Sequence, residues 1–374
     1  MKKICCLLNY APHYRSPIFQ KMDQELHCDW YFGKDLREEI EKMDYSLLRG
    51  FKRELKNIYR GNWVWRKGVI ELAFRKEYDT YIISGEPHTL SLIPFNLICL
   101  FLGKKVYSWQ HGISNPAIGK GKLFNQRLLI AMQEGVFLYS EHAQNVMKGL
   151  GFKSDKLFVV YNSLNYKKSL RYRELPLEPL YSNYFGNDDP VLLFIGRQTK
   201  VKNLPLLIDA FVQLNRREHP CNLVIIGDGP MESNMKDIVK SSGLIDRCWF
   251  TGAIYDEEMI ACYLKNATLC ASPGNVGLTA IHALSYGLPV VTNNNFAIQM
   301  PEYEAIEQGF SGDFFQENDI ESLIGTIVKW LFDNCWSREE IRTNCYRRID
   351  EHYNAEEQIR IFMKVLNRTI PDSI

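Results

Sequence analysis

The chain has 374 residues, enough for two domains of roughly 150 residues each, every one able to bury its own core. Hydrophobic residues make up 46% and charged residues 24%, a composition that excludes disordered, fibrous and polytopic membrane classes. Forty-five basic and forty-four acidic residues leave a net charge of +1, which excludes a general nucleic-acid binder. The balance hides an asymmetry: residues 1–165 hold 24 Lys/Arg and 16 Asp/Glu, whereas residues 166–374 hold 21 and 28. A basic first half suits anionic ligands or an anionic membrane face.

In chain order, Lys3–Leu8 is the first expected strand. It has only five apolar residues between Lys3 and Asn9, too few for a signal-peptide core. Further short β-branched or aromatic runs follow at Trp30–Phe32, Thr80–Ser84, Lys105–Trp109, Val136–Ser140 and Leu157–Tyr161. The second half repeats the pattern at Val191–Ile195, Leu223–Ile226, Trp249–Thr251, Thr268–Ser272 and Pro289–Thr292. Most runs are continuously apolar, as strands buried on both faces of a parallel sheet must be. Amphipathic segments such as Leu204–Leu214 and Glu257–Leu264 lie between them. The expected class is α/β, two doubly wound domains, with boundaries at 1–165 and 190–352. Residues 166–189, poor in periodicity and containing two prolines, read as the connection. Trailing helices are expected at 318–334, 337–351 and 355–368, the last placed to pack back on the first domain (353–374).

The thirteen-residue run Ser91–Gly103 is too short to span a bilayer. It reads as a buried helix, with a shallow membrane-docking face as the alternative. Lys52, Arg53, Lys56, Arg60, Arg66, Lys67, Arg75 and Lys76, interleaved with Trp63 and Trp65, suit an anionic bilayer or simply a solvated helical surface. The ten cysteines show no C-x-x-C spacing and read as buried free thiols, the pattern of a reducing compartment; a cytoplasmic chain, peripheral on the membrane, is expected.

Chemistry concentrates in the second half. No G-x-G-x-x-G follows the first strand of either half, and no Walker lysine motif or D-x-D occurs. A bound diphosphate must then be neutralised by protein cations and backbone amides, and no metal or other cofactor is expected. At FIGRQTKVKN (194–203) a strand ends on Gly196 and sets Arg197 and Lys202 across a short loop. IGDGPME (226–232) is a strand followed by a turn, with Pro230 opening a helix. In SPGNVGLTAIHALSYGLPVV (272–291) a strand enters a glycine loop and a helix expected from near Val276, whose first amides near Gly277, Leu278 and Thr279 can bind an anion.

In this order and spacing, these segments resemble the C-terminal domain of GT-B glycosyltransferases, family four (group 1). Phe250–Gly252 and Glu304-Ala305-Ile306 with Gly309 and Gly312 match two further family elements. The resemblance implies two Rossmann-like domains facing across a cleft. It implies a nucleotide-diphosphate-sugar donor, UDP-linked rather than GDP-linked, and a glycan or lipid-diphosphate-linked glycan acceptor in surface polysaccharide synthesis. Arg197 and Lys202 would hold the diphosphate with Gly196 and the amides of Gly277, Leu278 and Thr279. The backbone at Gly252 would meet the base, and Glu304 the ribose or phosphate. Retention of configuration without metal is implied. The pattern departs from the family at Gly274 and His282, where two glutamates usually stand. Sugar recognition then passes to groups such as Asn275, and His282 is left to reach the ribose or to pack as a helix histidine.

In the first half, WQHGISNP (109–116) places His111 at a strand end, where the resemblance implies an active-site histidine beside the donor sugar. Glu86 and His88, in SGEPH, and Arg15, in NYAPHYRSP, are candidates for acceptor contacts, and Tyr161-Asn162-Ser163 for a structural turn. Two other readings stay open: a GT-B sugar-nucleotide epimerase, and a degenerate, non-catalytic binder of nucleotide sugars.

Overall fold

The computed structural model describes residues 3–34 and 41–366. The chain divides into two compact units, Met1–Asn165 with Asn354–Ile374, and Tyr166–Tyr353.

The first unit is built on β1 (Lys3–Leu8), β2 (Asp29–Gly33), β3 (Phe51–Leu55), β4 (Asn57–Arg60), β5 (Trp63–Arg66), β6 (Tyr78–Ser84), β7 (Lys105–Gln110), β8 (Gly135–Leu138) and β9 (Leu157–Val159). Seven of them form a parallel sheet in the order β3-β2-β1-β6-β7-β8-β9. Along β1, Ile4, Cys6 and Leu8 face one apolar core and Cys5 and Leu7 the other. Burial on both faces is why the strand reads as an unbroken apolar run. The helix Ala355–Val365 adds Ile359, Phe362 and Met363 to the first of these cores. The expected continuation of this helix to residue 368 lies outside the described residues. Phe362 packs edge-on against Trp109 (ring centroids 5.0 Å) and at a tilt against Phe137 (4.4 Å). Gln358 of the same helix donates to the Tyr161 carbonyl (2.9 Å) and accepts from Ser163 Oγ (2.5 Å), which fixes the Tyr161–Ser163 turn.

Two expectations for this unit need correction. Residues 51–66 are not a helical surface but β3 and an antiparallel hairpin, β4 and β5. Alternation decides it: Val64 and Arg66 point inward while Ile58, Trp63 and Trp65 are exposed. Arg66 is therefore not available to a membrane, being fully buried with its Nε on Asn57 Oδ1 (3.0 Å). The helix Leu92–Phe101 is only half a core helix, burying Leu92, Phe95, Asn96 and Cys99 and exposing Leu97, Leu100 and Phe101.

The second unit contains β10 (Val191–Ile195), β11 (Asn222–Ile226), β12 (Cys248–Gly252), β13 (Leu269–Ser272), β14 (Val290–Asn293) and β15 (Gly312–Phe315), all parallel in the order β12-β11-β10-β13-β14-β15. The order reverses beside β10, and that switch point opens a crevice at the carboxyl ends of β10 and β13. Residues 166–189 hold two short helices, Tyr166–Arg173 and Leu180–Phe185, within this unit. They are docked by Arg173 on Asp350 (2.8 Å) and by Tyr181 Oη on the Tyr263 carbonyl (2.8 Å). The helix Leu204–Arg216 buries seven residues against β10 and its neighbours, with Pro205 in its first turn.

Candidate functional site

At the carboxyl edge of β10, Gly196 turns the chain into the loop that carries Arg197 and Lys202. The side chain of Gln198, fully buried, donates to the Gly227 carbonyl (2.8 Å), and its amide donates to the Asp228 carbonyl (2.7 Å). The Gly-Asp-Gly-Pro turn is thus the brace under the Arg197 loop. Gly227 N–H in turn donates to the Gly252 carbonyl (2.8 Å), which brings the end of β12 to the same edge. Thr279 Oγ1 donates to the Ile195 carbonyl (3.0 Å) and so ties the glycine loop to β10.

Lys202 lies against that loop. Its Nζ donates to the Asn275 carbonyl at 2.5 Å. Burial pushes its ammonium pKa down, and the charge of the buried Glu302 acts the other way. Arg197 is exposed; its carbonyl accepts from Thr199 N–H (2.9 Å), but among the described residues its side chain makes no hydrogen bond or ion pair, so its guanidinium fork is free for an anion. Gly277 has φ of +55°, a left-handed conformation that ends the extended loop and delays the helix to Thr279–Ser285, three residues after the expected start. Among the described residues the amides of Gly277, Leu278 and Thr279 donate to no backbone acceptor, whereas Val276 N–H is taken by Gln299 Oε1 (2.9 Å). Two cations and three amides therefore lie along one edge, an arrangement with the chemistry to hold an anion such as a diphosphate.

The departures from the family pattern have structural causes. Gly274 N–H donates to the Lys202 carbonyl (3.0 Å) and Asn275 N–H to the Val201 carbonyl (2.9 Å). A Cβ at 274 would lie 2.1 Å from the Val201 oxygen, so no side chain fits there. His282 donates from Nε2 to Glu257 Oε1 (2.9 Å), which also accepts from Tyr286 Oη (2.6 Å). Burial works against ionisation of Glu257, but these bonds and the histidine charge outweigh it and hold the carboxyl below its usual range. Glu304 sits half-buried with its carbonyl on Arg348 Nη2 (3.1 Å), while the acid that acts on Lys202 is Glu302. Asn275 aims its Nδ2 at the Ile298 carbonyl (3.0 Å). Sequence reasoning missed Gln299, Glu302 and Glu257, which belong to no motif.

In the first unit, His111 follows β7 with its ring 4.9 Å from Tyr139. The Arg15 guanidinium lies over Tyr139 (4.8 Å) and Trp109 (5.2 Å). Taken over the whole residue His111 is exposed, yet loss of hydration and then the Arg15 charge push its pKa down to about 4. At the end of β6, Glu86 accepts from Asn9 Nδ2 and lies 3.9 Å from His88; burial pushes the Arg66 guanidinium pKa down, and the Glu86 charge acts the other way. Asn9, Glu86 and His111 thus stand on the carboxyl edge of one sheet.

Comparison with solved structures gives the class: the fold is GT-B. The Anabaena protein HepE, crystallised in complex with UDP, superposes with a TM-score of 0.71 over 98% of this chain and 99% of its own, at 15% identity. Residues 182–351 match the family profile "Glycosyl transferases group 1". An uncharacterised glycosyltransferase of Methanocaldococcus jannaschii is 26% identical over 56% of this chain. The alpha-monoglucosyldiacylglycerol synthase of Streptococcus pneumoniae is 31% identical over 60%. The matched stretch spans 54% of the length of each of these two relatives.

Proposed function

We propose that this chain moves a sugar from a UDP-linked donor to a glycan or lipid-diphosphate-linked glycan at an anionic membrane face, as a step in surface polysaccharide synthesis. The observation that carries the reading is that the free Arg197 guanidinium, the Lys202 ammonium and the Gly277–Thr279 amides lie along the β10 edge. HepE with bound UDP supports a uracil nucleotide, and the lipid-directed name of the pneumococcal synthase supports a lipid-linked acceptor. As the anomeric bond breaks, negative charge grows on the departing diphosphate, and fixed cations and amides stabilise it without reorganising. The diphosphate oxygen nearest the acceptor takes the hydroxyl proton, which gives retention and asks for no metal. His111, held neutral, offers a hydrogen bond to a sugar hydroxyl or a phosphate oxygen.

A thermal-shift screen of UDP, GDP and their sugars tests this. One uridine ligand is expected to raise the midpoint by several degrees, through its binding to the folded state alone. Arg197→Ala and Lys202→Ala are each expected to abolish that shift at the same ligand concentration. A shift that survives both substitutions, or a guanosine preference, overturns the donor assignment. The absence of a carboxylate at Gly274 favours a second reading, binding without turnover. Release of UDP in the presence of membrane-extracted acceptor, lost in His111→Ala, would dismiss it.

A further inference from the structure

Arg66 puts a charge where a hydrocarbon would serve the fold better. It lies on the inner face of the hairpin of β4 and β5, only 2% exposed, and Nη1 of its guanidinium is buried with no partner among the described residues. A partly bonded buried cation costs stability, and an apolar side chain of similar volume in its place is often neutral or better. The neighbours of the hairpin give this charge a use.

Beside β5 runs the segment that follows β6 and carries Glu86. Val64 N–H donates to the His88 carbonyl (3.0 Å) and Leu90 N–H to the Val64 carbonyl (2.8 Å), which sets Val64 parallel to Thr89. Arg66 N–H adds a bond to the buried Ser91 Oγ (3.1 Å). Asn57, which holds Arg66 Nε at 3.0 Å, borders Gly33 at the end of β2. A Cβ at Gly33 would stand 2.8 Å from Asn57 Nδ2 and 2.4 Å from the Asn9 carbonyl oxygen. Asn9, after β1, donates from Nδ2 to Glu86 Oε1, and Thr89 Oγ1 donates to Glu86 Oε2 (3.4 Å). A closed polar chain from Arg66 to Glu86 therefore crosses the carboxyl ends of β2, β1 and β6. At its far end the Glu86 side chain is 28% exposed, so the carboxylate that these residues hold still reaches solvent.

Charge selects what this carboxylate can take. An ionised carboxylate only accepts, so its ligand must bring O–H or N–H groups. The Arg66 and Glu86 charges offset each other, which removes the net attraction for a cation. An anion would meet the exposed carboxylate before the buried guanidinium and be repelled. Neutral hydroxyls remain, the groups of a sugar ring. We infer that the hairpin of β4 and β5 is a specificity device: Glu86 receives hydroxyls of a neutral sugar on the acceptor, and Arg66 is the positioning residue that fixes and offsets its carboxylate. No covalent bond is made or broken at this pair. The inference rests on the transferase reading above and names the class of sugar that its acceptor presents.

Saturation-transfer NMR titration of the full chain with submicellar octyl glycosides tests it. The wild type is expected to bind octyl glucoside, galactoside or mannoside, and to bind octyl glucuronide roughly tenfold more weakly because a like charge faces it. Glu86→Gln is expected to weaken the neutral glycoside about tenfold, the weight of one charge-assisted hydrogen bond. The same variant should bind the glucuronide more tightly than wild type, since the Arg66 charge is then unopposed; a merely structural glutamate would not reverse the preference. Arg66→Met should also lose about tenfold for the neutral glycoside while melting close to wild type. Arg66→Lys should recover to within about threefold, keeping the charge but not the fork. If no neutral glycoside binds the wild type, or the glucuronide binds it better, the inference is overturned. Equal affinities in wild type and Glu86→Gln overturn it too, whether or not Arg66→Met folds. The titration uses no nucleotide: its failure leaves the UDP-induced thermal shift intact, whereas a missing UDP shift beside normal glycoside binding faults the transferase reading instead.

Discussion

His111 shows what one side chain's surroundings do to its chemistry. An ordinary imidazole changes charge near pH 6.5. Here dehydration and the Arg15 charge lower the folded-state value to about 4, so the ring is neutral throughout the physiological range. A neutral ring both donates and accepts, whereas a protonated one only donates. The acid limb of kcat/KM attributable to this residue is therefore expected near pH 4 rather than 6.5. Activity at pH 5.5 should stay within about twofold of that at pH 7. The sign for stability agrees: the folded state resists protonation, so this group withdraws stability as pH falls below the unfolded value of about 6.5. His111→Ala is expected to lower kcat/KM roughly 5- to 150-fold, the weight of one to two hydrogen bonds at the reacting centre. A pH–rate profile with an inflection near 6.5 that vanishes in His111→Ala would contradict this account.

At the scale of elements, the glycine loop between β13 and the helix Thr279–Ser285 is held as a third partner of the Arg197–Lys202 loop. Backbone bonds from Gly274 and Asn275 pair it with Val201 and Lys202, and Gln299 Nε2 clasps it at the Gly274 carbonyl (3.1 Å). Restoring the family's carboxylate by Gly274→Glu is accordingly expected to cost stability rather than to improve turnover. The new Cβ meets backbone at 2.1–2.7 Å, which the two strands of this contact relieve only by separating. Urea denaturation should show a loss of roughly 1–3 kcal/mol, and UDP affinity should fall with it because Lys202 moves. A variant as stable as the wild type would show that the loops are not paired in this way. The same loop explains what was legible in the sequence. Strands buried on both faces announced themselves by composition, and ordered short motifs placed the phosphate-binding edge, because backbone turns and free amides demand particular residues at fixed spacing. The hairpin of β4 and β5 was hidden because its Arg60 and Arg66 sit in a run of basic residues from Lys52 to Lys67, where charge masks the alternation of Trp63, Val64, Trp65 and Arg66. Gln299, Glu302 and Glu257 were hidden because a partner's identity depends on which helix packs beside it, and that is settled only by tertiary structure.

For the whole molecule, the consequential feature is that one unit is discontinuous. The chain leaves it at Asn165 and returns at Asn354, so the helix Ala355–Val365 completes a core that the chain left 189 residues earlier. Phe362 is the keystone of that return: it is fully buried between Trp109 on β7 and Phe137 on β8. Deleting its ring leaves an aromatic-sized cavity under the strand that carries His111. Phe362→Ala is expected to cost about 3–5 kcal/mol. The loss should be local before it is global, since Phe362 belongs to the core of the first unit and the β10–β15 residues form a separate core of the second. Hydrogen exchange should quicken first in β7, β8 and the Tyr161–Ser163 turn, with protection in β10, β11 and β13 unchanged. Activity should fall through His111 and the acceptor side while the UDP-induced thermal shift persists. Uniform loss of protection in both sheets would instead mean that the two units open as one cooperative body, and the returning helix would then be a clamp on the entire chain rather than the last piece of one core.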